Sequence, residues 1–294
     1  TACGSEAYIE NLLQSFKPSA VIYSKKCKDL YSRLSTEKQN IYCLDDWIFS
    51  IDYGYEKLIH HFNTTSLKGF GIEKMPEGII AAGAILYYLE DTEHRDIKHI
   101  ASIARIEENK YVWLDRFTIR NLEILYPQQE GGVPLIEILD QTVTPMGSRL
   151  LKKWLILPLK ELSIIQERLS TVEALQKSEE ISNQILSYLK QIGDLERLIS
   201  KVAVGRINPR EMQQLKKALK NTTPIKHILQ QSENQHLQKL ADQLNPCEFL
   251  LDKIEKEFND DPPLLVHQGN LIRDGISEEL DDLRKVAYSG KDYL

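Results

Sequence analysis

The chain is 294 residues long and carries a formal net charge of −6, with 42% hydrophobic and 27% charged residues. This length suits about two domains, and the composition is that of an ordinary globular protein. A chain with this charge is not expected to bind nucleic acid over its whole surface, because dedicated nucleic-acid modules are usually strongly basic.

The cysteines and the apolar segments bear on the cellular location of the protein. The four cysteines are widely spaced and include no C-x-x-C pair, as the positions Cys3, Cys27, Cys43 and Cys247 show. Such spacing in a chain of this size favours buried free thiols in a reducing compartment. The longest nearly apolar run, residues 78–89, is too short to cross a bilayer. We therefore expect a cytoplasmic protein with no membrane partner.

The first hundred-odd residues alternate short β-like runs with helical patterns. Residues 20–23 and 41–44 are predicted to be strands, with helical segments before, between and after them. Residues 100–106 and 111–114 are predicted to pair as a closing hairpin. Strands that alternate with helices indicate a mainly parallel α/β domain. Because no opening strand precedes them, we expect part of this sheet to be missing.

From about Asp115 onward, the apolar residues fall at helical spacing. Thr144 and Pro145 form a favourable helix start, and Pro158 ends that helix. The four residues 208–211 combine an N-cap, a proline at the first turn and a glutamate at the capping-box position. This half is therefore predicted to be a bundle of amphipathic helices.

Two further turn signals lie in the helical half. Thr223-Pro224 is predicted to begin another helix, as Asn208-Pro209 does. Apolar residues on both sides of Gln268-Gly269-Asn270 predict a short hairpin there.

A search for catalytic motifs finds little. No P-loop is present, since Gly290-Lys291 has Lys285 in place of the first glycine and Asp292 in place of a hydroxyl residue. The histidines lack the spacing of a zinc-binding H-E-x-x-H motif. The acidic residues Asp45, Asp46, Asp52 and Asp91 are the one group that suggests a metal-dependent nuclease. An aspartate that follows a strand more often caps a helix, so the nuclease remains the less favoured alternative.

Basic residues in the helical half suggest a contact with nucleic acid. Lys152-Lys153 and Lys216-Lys217 have the charge needed to contact a nucleic-acid backbone. Nearby Glu and Asp residues balance them, which favours a solvated helix face. A stiff helical bundle has another use, because it can couple remote sites that it does not itself contain.

Five ordered segments carry a more specific signal. They are L-D-R-F-T-I-R-N-L-E-I (114–124), T-P-M-G-S-R-L-L-K-K-W-L-I-L-P-L (144–159), R-L with V-E and L (168–175), D-L-E-R-L and N-P-R-E (194–198 and 208–211), and D-P-P, I-R-D-G and E-L-D-D-L-R (between 261 and 284). In this order they resemble the helical core of the MutS family of DNA mismatch-repair proteins. The first hundred residues resemble the connector domain of that family more loosely.

The resemblance implies an internal fragment of a DNA mismatch-recognition ATPase. It implies an incomplete RNase H-like α/β connector domain in residues 1–112. An elongated all-helical core and lever domain is implied for residues 113–294, which stops before the clamp. The fragment is expected to couple the mismatch and clamp region to the ATPase, with no catalysis and no cofactor of its own. ATP and Mg are expected in the missing ATPase domain. Mismatched duplex DNA, a MutL-type partner and a second copy of the parent are the expected partners.

The resemblance also assigns structural roles to seven polar or charged residues. It assigns no catalytic, cofactor-binding or metal-binding residue. Four residues match the junction between connector and core and are expected to join the two by hydrogen bonds: Asp115, Arg120, Asn121 and Glu123. Three arginines are expected to link helices of the core: Arg149, Arg197 and Arg210. Two alternatives stay open: an RNase H-like metal-dependent nuclease with a helical appendage, and a helical adaptor unrelated to repair.

Overall fold

The structure, a computed structural model, describes residues 1–16, 18–34, 40–92, 97–106, 110–112 and 114–292. It is mostly helical, with a small parallel sheet of two strands. The chain forms two compact units, one of residues 1–142 and 148–165 and the other of residues 143–147 and 166–294. The domain boundary predicted after residue 112 stays a prediction.

The first unit contains the sheet and the helices around it. Its elements are α1 (Glu6–Phe16), β1 (Ala20–Ser24), α2 (Lys28–Leu34), β2 (Asn40–Leu44), α3 (Ile51–Phe62), α4 (Pro76–Asp91), α5 (Arg116–Asn121), α6 (Leu135–Leu139) and most of α7 (Pro145–Ile156). The strands β1 and β2 pair in parallel, with Ala20 opposite Asn40 and Ser24 opposite Leu44. The two strands predicted from the sequence are thus confirmed.

The core of the first unit lies between α3 and α4. Leu58, Leu67, Ile72, Ile79 and Leu86 are almost fully buried and form one apolar cluster. A separate, smaller cluster joins α7 to the segment after α5. Burying several large side chains in this way is the main source of stability for a unit of this size.

The predicted closing hairpin is wrong. Residues 100–106 contain no strand, and Tyr111 forms an isolated antiparallel bridge with Leu159 instead. The backbone N–H of Ile106 donates to the carbonyl of Thr1, at 2.8 Å. The partners of both segments are thus distant in sequence, which a local alternation of residues does not reveal. The turn residues of the predicted hairpin, 107–109, and Trp113 lie outside the described residues.

The second unit is a bundle of helices. Its elements are part of α8 (Leu162–Lys177), α9 (Glu179–Ile192), α10 (Leu195–Ala203), α11 (Pro209–Gln230), α12 (Gln235–Gln243), α13 (Glu248–Glu257) and α14 (Glu278–Asp292). The buried side chains of Ile192, Ala218, Ile225, Leu229 and Leu237 join α9, α11 and α12 in one cluster. The predicted bundle of amphipathic helices is confirmed in this unit.

The helix start predicted at Thr223-Pro224 is wrong, because α11 continues through Pro224. Proline lacks the N–H that would bond to the carbonyl of Lys220, a loss that usually weakens a helix. Two side chains bond to backbone carbonyls just before it: Asn221 Nδ2 donates to Lys217 at 2.8 Å, and Thr222 Oγ1 donates to Ala218 at 3.1 Å. Burial of the residues beyond Pro224 holds the helix together across this defect.

The hairpin predicted around Gln268-Gly269-Asn270 is also wrong. Residues Val266–Gln268 form a turn of 3-10 helix, and Ile272 makes an antiparallel bridge with Phe258. The side chain of Asn259 holds this pairing by donating to the carbonyl of Asn270 at 2.9 Å. The strand-like residues thus pair back to the end of α13 rather than with each other.

Candidate functional site: polar links between the core helices

The junction motif forms a local structure in the first unit. Asp115 caps α5, since its Oδ1 accepts from the N–H of Thr118 at 2.6 Å. That hydrogen bond lowers the pKa of the Asp115 carboxyl. Glu123 adopts a left-handed backbone conformation with φ 47°, and its Oε1 accepts from the N–H of Gln128 at 2.8 Å. The motif therefore shapes the turn that follows α5.

The other predicted residues differ in their solvent exposure and in their contacts. Arg120, Asn121, Arg149 and Arg210 have exposed side chains, whereas Arg197 reaches a buried carboxylate on the next helix. The joining role predicted for the junction residues and for Arg149 and Arg210 stays a prediction.

Among the described side chains of the second unit, the most buried charge is that of Glu211, at the start of α11. Only 8% of the residue is exposed. It forms the predicted capping box: its N–H donates to Asn208 Oδ1 at 2.9 Å, and its Oε2 accepts from the N–H of Asn208 at 3.2 Å. Its Oε1 also forms an ion pair with Lys201 of α10 and lies 3.6 Å from the Arg197 guanidinium. One carboxylate therefore joins two helices and caps one of them.

The electrostatics of this site follow from its contacts. The Lys201 ammonium holds the pKa of Glu211 below its usual value, with help from the Asn208 N–H and from Arg197, although burial opposes the shift. Glu211 is thus ionised at neutral pH while largely removed from water. A buried carboxylate of this kind is expensive to leave unpaired, so it fixes the relation of α10 to α11.

A second polar link joins α8 to α12. Glu167 Oε1 accepts from Lys239 Nζ at 2.8 Å and lies 3.6 Å from His236 Nδ1. Asn234 caps α12 and also donates from Nδ2 to Ser170 Oγ at 3.1 Å. The Lys239 ammonium lowers the pKa of the Glu167 carboxyl. Sequence reasoning did not find this link, because its partners are about seventy residues apart and only the folded bundle brings them together.

A third set of links fixes the segment between α13 and α14. Arg273 Nε donates to the carbonyl of Phe258 at 2.8 Å, and Arg273 Nη2 pairs with Asp260 at 2.8 Å. Lys216 of α11 pairs with the same carboxylate at 3.0 Å, so Asp260 has a lowered pKa. Arg284 of α14 pairs with Asp274 Oδ1 at 2.7 Å. Both arginines lie within the sequence motifs between residues 261 and 284, but the sequence does not predict their partners.

The acidic residues of the nuclease alternative do not form a metal site in the described part of the chain. Asp45 pairs with Lys25, and Asp46 accepts from Ser24 Oγ at 2.5 Å and from the Lys26 N–H at 3.3 Å. Within the described ranges, no three His, Cys, Asp or Glu side chains gather closely enough to hold an ion. The nuclease alternative therefore has no support from these residues.

No helix among the described residues combines the length and the apolar character needed to cross a bilayer.

The two units define the class of protein. A unit with a small parallel sheet is followed in sequence by a bundle whose helices are joined by ion pairs and by capping hydrogen bonds. Comparison with known families identifies it further. The family model of MutS domain II matches residues 2–101, and that of MutS domain III matches residues 117–289. The chain belongs to the MutS family. The resemblance predicted from the sequence motifs is thus confirmed.

Individual relatives agree along the whole chain. It is 58% identical to the DNA mismatch repair protein MutS of Cytophaga hutchinsonii over 294 residues, which are 100% of this chain and 34% of that relative. The MutS proteins of Bacteroides fragilis and Christiangramia forsetii are each 48% identical, and the match again covers 100% of this chain and 34% of the relative. The chain thus spans about a third of the length of these relatives.

Proposed function

We propose that this chain is the connector and core part of a DNA mismatch-recognition ATPase, and that its role is mechanical coupling. Mismatched DNA and ATP would bind to other parts of the protein, and this part would transmit the state of one site to the other. In this proposal the chain carries no catalytic group and binds no cofactor. The first hundred residues would form an RNase H-like connector, for which the parallel pair β1 and β2 and the following helices are the support.

The main support for the proposal is that two MutS domain models match successive parts of the chain. Residues 2–101 match one domain of the family and residues 117–289 match the next. The relatives are named as mismatch-repair proteins, and 34% of their length corresponds to this chain. In this proposal the whole protein recognises mismatches, and this part contributes to that activity.

The polar contacts between helices support mechanical coupling as the role of this part. The links at Glu211, Glu167 and Asp260 each join side chains from different helices or segments of the bundle. The link at Glu211 resists the sliding of α10 past α11, because separation would leave a nearly buried charge unpaired. The pairs at Glu167 and Asp260 are more exposed to solvent and contribute less. A bundle that moves as a body transmits displacement between sites at its ends, which is the physical requirement for coupling.

The partners in this proposal come from the whole protein. Mismatched duplex DNA would bind the parent, a MutL-type protein would contact it, and the parent would act as a homodimer in the cytoplasm. ATP and Mg would bind only in the ATPase domain.

A chimera tests the proposal directly. The matching 294 residues of the Cytophaga hutchinsonii MutS are replaced by this chain, and ATP turnover is measured with mismatched and with fully paired duplexes. We expect the mismatch to change ATP turnover in the chimera as in the parent. Loss of that response, with ATP hydrolysis and mismatch affinity each retained, would contradict the proposal that this chain performs the coupling. Hydrolysis of ATP by the isolated chain, in proportion to its concentration, would contradict the proposal.

A further inference from the structure

Two short segments come together just before α14. They are residues 257–260, at the end of α13, and residues 270–274. The backbone N–H of Asn259 donates to the carbonyl of Leu271 at 2.9 Å, and the N–H of Arg273 donates to the carbonyl of Glu257 at 2.8 Å. We call these two segments the α14 base, because the last of them leads directly into that helix.

The helix α14 takes little part in the apolar packing of the second unit. Among its residues 278–287, whose burial the structure describes, none is buried, and Leu283 and Val286 are 62% and 69% exposed. Its contact with the α14 base is polar. The guanidinium of Arg284 donates from Nη2 to the carbonyl of Ile272 at 2.7 Å and pairs with Asp274. The position of the start of α14 therefore follows the position of the α14 base.

Two side chains of α11 bind the α14 base. Gln213 Nε2 donates to the carbonyl of Asn259 at 2.6 Å, and Lys216 Nζ pairs with Asp260 Oδ1 at 3.0 Å. Gln213 and Lys216 are three residues apart, so they lie on the same face of the helix. The Lys216 side chain is only 16% exposed, which leaves its ammonium group little freedom to move away from this contact. The helix α11 therefore contacts two successive residues of the α14 base.

The Asp260 carboxylate connects α11 to the other segment of the α14 base. Its Oδ1 pairs with Lys216, and its Oδ2 pairs with Arg273 Nη2 at 2.8 Å. The hydrogen bond from Lys216 and then that from Arg273 lower the pKa of the carboxyl, so it is ionised at neutral pH. Arg273 lies in sequence between the two residues that Arg284 contacts. The contacts thus form a continuous path from α11 through Asp260 to α14.

We propose that Gln213 and Lys216 are positioning residues, which determine where α14 begins by holding Asn259 and Asp260. Their hydrogen bond and their ion pair end on the α14 base, so their effect on α14 is indirect. The inference rests on the proposed function, mechanical coupling, because coupling is carried by contiguous contacts between structural elements. It deepens that function by assigning one route, along which a displacement of α11 is passed to α14.

The test is hydrogen exchange of the 294-residue chain, followed by mass spectrometry. The variant Gln213→Met/Lys216→Met removes both polar contacts but keeps long, unbranched side chains that favour a helix. Peptides that contain Gly275 and the first turn of α14 should exchange at least about three-fold faster, as expected for the loss of one hydrogen bond and one weak ion pair. Peptides from α12 should exchange at an unchanged rate, which distinguishes local opening from loss of folding.

The chain offers a matched control on the same helix. Gln214→Met/Lys217→Met makes the same two substitutions one residue further along α11, at positions whose side chains are exposed. It should leave the exchange at the start of α14 unchanged. Circular dichroism checks that each variant is folded.

A double-mutant cycle tests the route itself. Lys216→Met should accelerate exchange at the start of α14 in the unmodified chain, but it should add little once Asp260→Ala has removed the shared carboxylate. A lysine that only stabilised the bundle would have the same effect in both backgrounds.

Several outcomes would overturn the inference. They are unchanged exchange at the start of α14 in Gln213→Met/Lys216→Met, equal acceleration by the control variant, and equal effects of Lys216→Met with and without the Asp260 carboxylate. Acceleration of α12 to the same degree would also overturn it, because the substitutions would then loosen the whole bundle. These measurements require no response to DNA or ATP. A chimera without a mismatch response would therefore contradict the proposed function, whereas the outcomes above would contradict only the route from α11 to α14.

Discussion

The carboxylate of Glu211 at the start of α11 forms an ion pair with Lys201 near the end of α10. The same carboxylate accepts from the backbone N–H of Asn208, so the ion pair and the helix cap share one side chain. The angle between the two helices and the first turn of α11 therefore depend on the same group.

Replacing that carboxylate tests its importance. Glu211→Gln removes the charge from a nearly buried site and leaves Lys201 and Arg197 without their counter-ion. We expect the free energy of unfolding to fall by about 1–3 kcal/mol, measured by urea denaturation followed by far-ultraviolet circular dichroism. The control is Asp252→Asn, at an exposed position of α13, which should change stability by less than about 0.5 kcal/mol. Equal effects of the two substitutions would contradict a special role for Glu211.

The stability difference between the unmodified chain and Glu211→Gln should depend on pH. The Lys201 ammonium lowers the pKa of Glu211 below its ordinary value of 4.5, so the folded chain binds this proton more weakly than the unfolded chain does. The carboxylate therefore stabilises the fold above pH 4.5, and this contribution is lost as the pH falls through the lowered pKa of the folded state. We expect the difference to be constant from about pH 5 to 7 and to shrink in more acid solution. A difference that persists unchanged down to about pH 3 would be inconsistent with this linkage.

The crossing of α3 and α4 depends on two glycines. A Cβ atom on Gly83 would lie 2.5 Å from the Cα of Gly54, and a Cβ on Gly54 would lie 2.9 Å from the carbonyl oxygen of Ile79. Gly83→Ala should therefore force the helices apart and destabilise the first unit by about 1–3 kcal/mol. Fluorescence of Trp47, which lies in this unit, reports the transition. Gly69→Ala is the matched control, because a Cβ there meets no atom within 4 Å; destabilisation by both would contradict the argument.

Pro224 and Pro209 occupy α11 in different ways. Pro224 lies inside the helix, where it removes a backbone hydrogen bond, whereas Pro209 is at the first turn, where the missing N–H has no cost. We expect Pro224→Ala to stabilise the second unit by about 1–3 kcal/mol and Pro209→Ala to destabilise it by about 0.5–1 kcal/mol. Urea denaturation measures both. A loss of stability in Pro224→Ala would show that α11 needs the proline to pack.

Local signals predicted much of the fold, and long-range pairing accounts for the failures. The caps at Thr144 and Asn208 act within a few residues, so the sequence alone predicted them. Both predicted hairpins failed because their strand-like residues pair with distant segments, as Tyr111 does with Leu159. A regular alternation of residues predicts an extended segment but does not identify its partner.

The same limit applies to the candidate site. The sequence predicted Glu211 as part of a capping box, yet its pairing with Lys201 depends on how α10 returns against α11. Lys216 and Lys217 are adjacent in sequence and carry the same charge. Successive residues of an α-helix are rotated by about 100° around its axis. Lys216 therefore lies against Asp260, whereas Lys217 lines a cleft between α9, α11 and α13. Their different surroundings follow from the packing of the helices, which composition and spacing do not contain.

Arg284 holds the start of α14 by a forked contact. Its Nη1 lies 2.7 Å from Asp274 Oδ1 and its Nη2 donates to the carbonyl of Ile272 at 2.7 Å. Asp281, also paired with Arg284, accepts from the N–H of Gly275 at 2.7 Å. Lysine donates from a single nitrogen and cannot reproduce the fork made by the two nitrogens of Arg284, so Arg284→Lys should lower the free energy of local opening by about 1–2 kcal/mol.

The measurement is hydrogen exchange followed by mass spectrometry. Peptides that contain Gly275 and the first turn of α14 should exchange roughly five to thirty times faster in Arg284→Lys. Lys285→Gln is the control, since Lys285 and Asp282 form an exposed pair at 2.9 Å that contributes little. If Lys285→Gln accelerates exchange as much as Arg284→Lys, the forked contact is not what orders this segment. If neither substitution accelerates exchange, the side-chain contacts of Arg284 do not order this segment. The Phe258–Ile272 bridge would then be the contact that fixes the start of α14.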